Sequence, residues 1–122
     1  MDYTAEIDRE KNLYTICVTG DYERPKDAIA LQKATNELRE KHEINRFLID
    51  YREARITGGT MDAYDSAMAA NQTMIPFKFK LAFVYRGDMS VPKFMEDVVV
   101  NMGYQLRVFD DIDLAKKWLL GK

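Results

Sequence analysis

The sequence contains a single cysteine and a single histidine, and this scarcity excludes several kinds of chemistry. Cys17 alone cannot form an internal disulfide or a C-x-x-C redox or zinc motif. With His42 as the only histidine, a catalytic triad can be assembled only around that residue, and no cluster of nitrogen and sulfur metal ligands can form. We therefore expect a protein that is not an enzyme, with no assignable catalytic residue, no cofactor and no metal.

The chain also lacks a long apolar run and an excess of charge of one sign. No stretch approaches the roughly 18 apolar residues that a membrane-spanning helix needs, and the acidic N-terminus has no apolar signal region. The 18 basic and 20 acidic residues give a net charge of -2, which provides no general attraction for nucleic acid. We expect a cytoplasmic protein without a membrane span or a nucleic-acid partner; its oligomeric state is left open.

The chain does contain enough apolar material for one core. Its 122 residues, 47% of them hydrophobic, fit a single domain, 1–122. β-Branched and aromatic residues predict strands at 3–8, 13–20, 47–49, 81–85 and 106–109. Caps and apolar periodicity predict helices at about 25–42, from Thr60 to Pro76, at about 90–103 and after Asp111. The order β-β-α-β-α-β-α-β-α predicts an α/β fold: a mixed, mostly parallel sheet with an opening hairpin and helices packed on its faces.

Two segments follow the carboxyl ends of predicted parallel strands, where ligands bind in open α/β sheets. These segments are 50–60 and 85–90. Arg52 in the first and Arg86 in the second are candidates to meet an anion or a polar head group. A plain turn with solvated arginines is the alternative. Segment 50–60 has no G-K-[ST] sequence, and Asp62, which follows it, would repel a phosphate.

Methionine and aromatic residues are concentrated on the second and third predicted helices. The predicted inner face of the second helix comprises Met61, Tyr64, Met68 and Ile75. Methionine fills irregular space and repacks around a guest, so these helices are able to admit a small apolar ligand. The residues predicted to bind it are Tyr64, Met68, Phe94 and Met95. Simple filling of the core is the alternative interpretation.

Taken together, these elements resemble the STAS-like superfamily, and in particular the small bacterial proteins called SpoIIAA-like or STAS/SEC14-domain proteins. The residues that carry the resemblance are the opening hairpin, Leu48-Ile49-Asp50-Tyr51-Arg52, Phe94-Met95-Glu96 followed by Gly103, and Val108-Phe109-Asp110 leading to Ala115, Trp118 and Leu119. The resemblance spans essentially the whole chain. It depends on the order and spacing of these pieces rather than on any one of them.

The resemblance implies two kinds of function. In anti-sigma-factor antagonists of the wider family, a partner kinase phosphorylates a serine or threonine at the start of the helix after the central strand. The corresponding positions are Thr57, Gly58, Gly59 and Thr60, where the family's Asp-Ser-Ser-Gly pattern is missing. In the SpoIIAA-like branch, similarity to SEC14-type carriers implies transport of small nonpolar molecules. We therefore expect a carrier or sensor of a lipid-like ligand, with a regulatory protein-interaction module, with or without threonine phosphorylation, as the alternative.

Overall fold

The computed structural model describes the backbone of residues 1–73 and 79–121 and the side chains of 1–70 and 79–121. The strands are β1 (Asp2–Asp8), β2 (Leu13–Glu23), β3 (Arg46–Thr57), β4 (Lys80–Val84) and β5 (Gln105–Phe109). The helices are α1 (Lys26–His42), α2 (Thr60–Thr73), α3 (Ser90–Asn101) and α4 (Ile112–Leu119). The predicted order of strands and helices is confirmed.

The five strands form one sheet in the order β1-β2-β3-β4-β5. The opening hairpin, β1 with β2, is antiparallel, and the other neighbouring strands are parallel. Side chains alternate across β3, so that Phe47 faces a core shared with α1, α2 and α3 while Leu48 faces a smaller core under α4. The mixed sheet with helices on both faces is therefore confirmed.

Strand β3 is much longer than predicted, and most of segment 50–60 is strand rather than loop. It continues to Thr57 because the second half of β2, up to Glu23, pairs with it. In that half of β3, Ala54 and Ile56 are half-buried while their neighbours Glu53 and Arg55 are exposed. This alternation with a period of two is a strand signal that the prediction of a loop overlooked.

A β-bulge interrupts the pairing of β2 with β3. Cys17 lies opposite Asp50 and Thr19 opposite Glu53, so β3 contains one extra residue at this point. Bulges bend a strand and redirect its side chains. The bulge lies at Tyr51 and Arg52, the two residues of β3 between the paired positions.

The predicted inner face of α2 is wrong. Met61 is 70% exposed, and Tyr64 and Met68 are 39% and 40% exposed; Ile75 and Pro76 lie outside the described residues. Within residues 60–70 of this helix, the buried side chains are those of Ala63, Ser66, Ala67 and Ala70. They have the same helical spacing as a large apolar stripe would have, but their small size lets α2 approach its neighbours closely. The prediction gave weight to large side chains where the fold buries small ones.

The predicted ends of α3 and α4 are confirmed. Gly103 adopts a positive φ of 96° just after α3, and its N–H donates to the carbonyl of Val100. Asp111 precedes α4, and its carboxylate accepts hydrogen bonds from the backbone N–H groups of Asp113 and Leu114 at 2.8 and 3.2 Å. These caps fix where each helix begins or ends on the sheet.

Candidate functional site

An apolar cavity lies between the sheet and helices α1, α2 and α3. Its volume is about 60 Å³, and its walls include Leu31, Ile49, Ala67 and Met95. Among the described side chains of α2, those buried toward the sheet are alanine and serine, and they do not reach far enough to fill the layer. Alanine on a buried helix face therefore provides space as well as packing.

Polar groups in the cavity wall form hydrogen bonds within the protein. The Gln32 side-chain amide donates to the carbonyl of Ser66, and the Thr35 hydroxyl donates to the carbonyl of Leu31, each at 2.8 Å. The Tyr104 hydroxyl donates to the carbonyl of Ala70 at 2.9 Å. Because these groups already have partners, the cavity suits an apolar guest better than a polar one.

A second pocket lies beyond the carboxyl ends of β3 and β4, with a volume of about 280 Å³. Its walls include Arg24, Arg52, Arg86, Tyr51 and Tyr85. Tyr51 also lines the apolar cavity. This tyrosine therefore borders both the apolar interior and the basic edge of the sheet.

Three tyrosines pack together beside this pocket. The rings of Tyr51 and Tyr85 are stacked with centroids 4.9 Å apart, and Tyr22 meets Tyr51 edge-on at 5.2 Å. Burial raises the pKa of Tyr22 to about 12, against the lowering effects of a hydrogen bond with Tyr51 and of the charge on Arg24. Burial likewise raises the pKa values of Tyr51 and Tyr85. The three hydroxyls are therefore neutral hydrogen-bonding groups near pH 7.

Arg52 is paired with a carboxylate. Its Nε and Nη2 atoms donate to the two oxygens of Asp50 at 2.9 and 2.8 Å, which is a bidentate ion pair. Burial acts to raise the pKa of Asp50, but the hydrogen bonds and charge of Arg52 outweigh it and hold the pKa below its ordinary value. The guanidinium of Arg86 lies 3.5 Å from Glu53 in an exposed pair. The arginines proposed from the sequence for a head group thus each have an acidic neighbour.

Arg24 differs from these arginines in burial and in pairing. It is only 7% exposed, and its Nη1 donates to the carbonyl of Gly58 at 3.3 Å. Within residues 1–70 and 79–121 no carboxylate oxygen approaches its guanidinium within the 4.0 Å of a salt bridge. A hydrogen bond from Arg24 also lowers the pKa of the Tyr85 hydroxyl against the effect of burial. The sequence analysis missed Arg24, since nothing in its sequence neighbourhood predicts burial of the charge.

The segment from Thr57 to Thr60 is exposed along its whole length. The backbone N–H of Gly59 donates to the Asp62 carboxylate at 3.0 Å, so one of the protein's own acids occupies this N–H group. Gly58 has a φ of 104°, and a Cβ added there would lie 2.9 Å from the Cβ of Arg24. Only glycine allows this loop to contact the end of β2 so closely.

The structure separates the four residues predicted to bind an apolar ligand. Met95 is buried and lines the apolar cavity, whereas Tyr64, Met68 and Phe94 lie on the exposed sides of α2 and α3. Their role in ligand binding stays a prediction. Ala67, Tyr22 and Tyr51 line the cavity and are among the residues that the sequence analysis did not select.

Solved structures of similar fold were found, although no protein-family model and no curated protein matches the chain. One is an uncharacterized protein of the DUF3478 family with a SpoIIAA-like fold from Shewanella loihica PV-4. Its identity is 18% and its TM-score 0.57, with 97% of this chain and 92% of that chain covered. Another is the anti-sigma factor antagonist SpoIIAA in its unphosphorylated form, at 6% identity and a TM-score of 0.53, with 99% and 100% covered.

At such low sequence identity, the two structural matches establish the fold of this chain and do not establish its function. The chain has the SpoIIAA-like fold that the resemblance predicted. In the part of the chain that the structure describes, no helix is both long and apolar enough to cross a bilayer. Over the same residues, no group of three or more His, Cys, Asp or Glu side chains is arranged to hold a metal ion.

Proposed function

We propose that this protein is a non-enzymatic bacterial binding module that carries or senses a small nonpolar, lipid-like ligand. The observation that supports the proposal is the apolar cavity beneath the alanine face of α2. Well-packed cores contain few voids larger than a water molecule, and this space of about 60 Å³ is larger than that. A ligand of more than a few carbon atoms enters this space only if its walls move.

Met95 is the wall residue best suited to move. It is unbranched and has three side-chain torsions, so it can vacate space at little cost in strain. The buried side chains of α2 that the structure describes opposite it are small, and they leave no interlocking surface to hold the two elements together. Outward movement of Met95 and α2 therefore enlarges the cavity without breaking the sheet.

The test is a chain-length series of straight alcohols, from 1-butanol to 1-octanol, measured by calorimetry or by NMR titration. Each added methylene should increase affinity about fourfold, since its burial contributes roughly 0.8 kcal/mol. Ala67→Val narrows the cavity and should weaken binding across the series. Ala30→Val makes the same change on an exposed position of α1 and is the matched control.

Two results would count against the proposal. One is the absence of saturable binding at every chain length. The other is equal affinity in the wild type and Ala67→Val, because a ligand in this cavity must contact residue 67. Loss of affinity in Ala30→Val to the same extent would show that the measured effect is not specific to the cavity.

We propose as a second candidate a regulatory module that docks a protein partner around Thr57 to Thr60, with or without threonine phosphorylation. The observation that favours it is the exposed face of α2, where Met61 and Tyr64 follow directly after this segment. Large exposed apolar groups beside an accessible loop are typical of a protein-binding surface. The solved SpoIIAA structure, an anti-sigma factor antagonist, supports the same interpretation by analogy of fold alone.

Partner capture from a bacterial lysate tests this candidate. The wild type should retain a protein that Met61→Ser and Thr60→Glu do not retain. Leu114→Ser is the matched control, because Leu114 is also exposed, at 53%, but lies on α4 at the other face of the sheet. Identical capture by all four proteins would refute docking at this surface.

A further inference from the structure

The charge of Arg24 is buried without a carboxylate partner in the described part of the chain. Its hydrogen-bond acceptor, the Gly58 carbonyl, is neutral, and so is the hydroxyl of Tyr85, which lines the same pocket. A buried charge is costly unless an opposite charge accompanies it, and neutral acceptors compensate only part of that cost. Arg24 therefore needs an anion.

The other positive groups at this edge of the sheet are already matched. Arg52 pairs with Asp50, and Arg86 pairs with Glu53. The backbone N–H of Ser90 at the start of α3 donates to the Asp88 carboxylate at 2.8 Å. The protein's own acids thus neutralise the surroundings of the pocket and leave Arg24 as the group that is without a counter-charge.

We infer that Arg24 binds the carboxylate of the ligand whose chain occupies the apolar cavity, so that the ligand class is an aliphatic monocarboxylate. This inference rests on the proposed function. Tyr51 lines both the cavity and the pocket that contains Arg24, so one molecule passing Tyr51 places its chain in one and its head in the other. A guanidinium matches a carboxylate in geometry, and a single positive charge matches a single negative one.

Arg24 thus replaces Arg52 and Arg86 as the residue that meets the head group. Arg52 would have to give up a bidentate pair with Asp50, and the exposed side chain of Arg86 provides a bond that water weakens. The Arg24 side chain is largely shielded from solvent. Its backbone N–H donates to the carbonyl of Thr57 and its guanidinium to the carbonyl of Gly58, and these hydrogen bonds hold it in place. Its hydrogen bonds to an anion are therefore the strongest available at this edge.

The experiment compares octanoate with 1-octanol, which share a chain and differ in charge. The wild type should bind octanoate about tenfold more tightly or better, as expected for hydrogen bonds to a charged group. Arg24→Met keeps the apolar stem and should bind both compounds equally, while Arg24→Lys keeps a preference for octanoate. Arg55→Met, which removes an exposed arginine outside the walls of this pocket, is the matched control and should behave as the wild type.

The outcomes separate this inference from the proposed function. Binding of neither compound by the wild type refutes the proposed function and this inference with it. Binding of both with equal affinity, or an unchanged preference in Arg24→Met, refutes the inference and leaves the apolar site intact. Octyl phosphate binding more tightly than octanoate refutes the choice of a carboxylate.

A pH titration of the wild type tests the same point without any substitution. Octanoate affinity should fall as the carboxylate becomes protonated between pH 7 and pH 4, whereas octanol affinity should stay constant. Parallel curves for the two compounds would refute a charge interaction. The result does not depend on whether Arg24→Met folds.

Discussion

The cores on the two faces of the sheet differ in how fully side chains fill them. Under α4, large side chains such as Leu48 and Leu119 are fully buried in a closed cluster. Under α1, α2 and α3 the core is larger, but the alanine face of α2 leaves a cavity in it. The face with one helix is filled, and the face with three helices retains space, so the number of covering helices does not determine how well a sheet is packed.

The charged residues Asp50 and Arg24, which lie on opposite faces of the sheet, also differ in whether an opposite charge accompanies them. Asp50 lies in register with Val84 of the α4 cluster, and its carboxylate is paired with Arg52. Arg24 lies beside the tyrosines of the other face and has no acidic partner among the described residues. The charge of Asp50 on the α4 side is thus matched by Arg52, whereas Arg24 on the other side has no such match, and this second side is where we place the ligand.

The largest expected effect on stability comes from removing a buried side chain of the α4 cluster. Leu119→Ala removes a fully buried side chain from the α4 cluster and should lower the free energy of unfolding by about 2–5 kcal/mol. Urea denaturation of the two proteins measures this difference. A loss under about 1 kcal/mol would mean that the α4 face has room to collapse and that the two faces are alike.

The next prediction adds volume to both faces with the same substitution. Ala115→Val on α4 should destabilise by about 1–3 kcal/mol, because its site is already full. Ala67→Val on α2 should cost less than about 1 kcal/mol, because the cavity accepts the added methyl groups. Both residues are buried in helices, so differences in helix propensity cancel. Equal costs in urea denaturation would remove the distinction between the faces.

The paired carboxylate predicts how stability depends on pH. The pKa of Asp50 is lowered in the folded protein, so its contribution to stability is fully present above its unfolded pKa of about 3.9 and is lost as pH falls through the folded value. Asp50→Asn should therefore lose less stability than the wild type between pH 5 and pH 2 in thermal denaturation. An identical slope in both proteins would show that the ion pair does not stabilise the α4 side.

The smallest effect is expected on the outer face of α2. Met61→Ser should change the free energy of unfolding by under about 0.5 kcal/mol, because Met61 is 70% exposed. Chemical denaturation measures this value. A loss as large as that expected for Ala115→Val would mean that Met61 belongs to the core, as the sequence analysis predicted.

The fold was predictable from the sequence to a large extent, and the candidate site was predictable only in part. Caps such as Asp111 and Gly103 and the two-sided apolar strands depend on local residue types, and the structure confirms them. Met95, which was selected because methionine is distinctive, lines the cavity, and its role in binding stays a prediction. Arg24 was not, because its burial depends on the approach of Gly58, which is distant in sequence.

By itself the sequence determined the order of strands and helices, the opening hairpin and the parallel connections, because periodicity and capping act over a few residues. Only the tertiary structure decided which side of α2 is buried, where the cavity lies and which arginine of the described residues is buried without a carboxylate partner. The physical reason is that small and large side chains can share one helical spacing, so the choice between alanine and methionine depends on how closely neighbouring elements approach. The compensation of a charge likewise depends on groups that only the folded chain brings together.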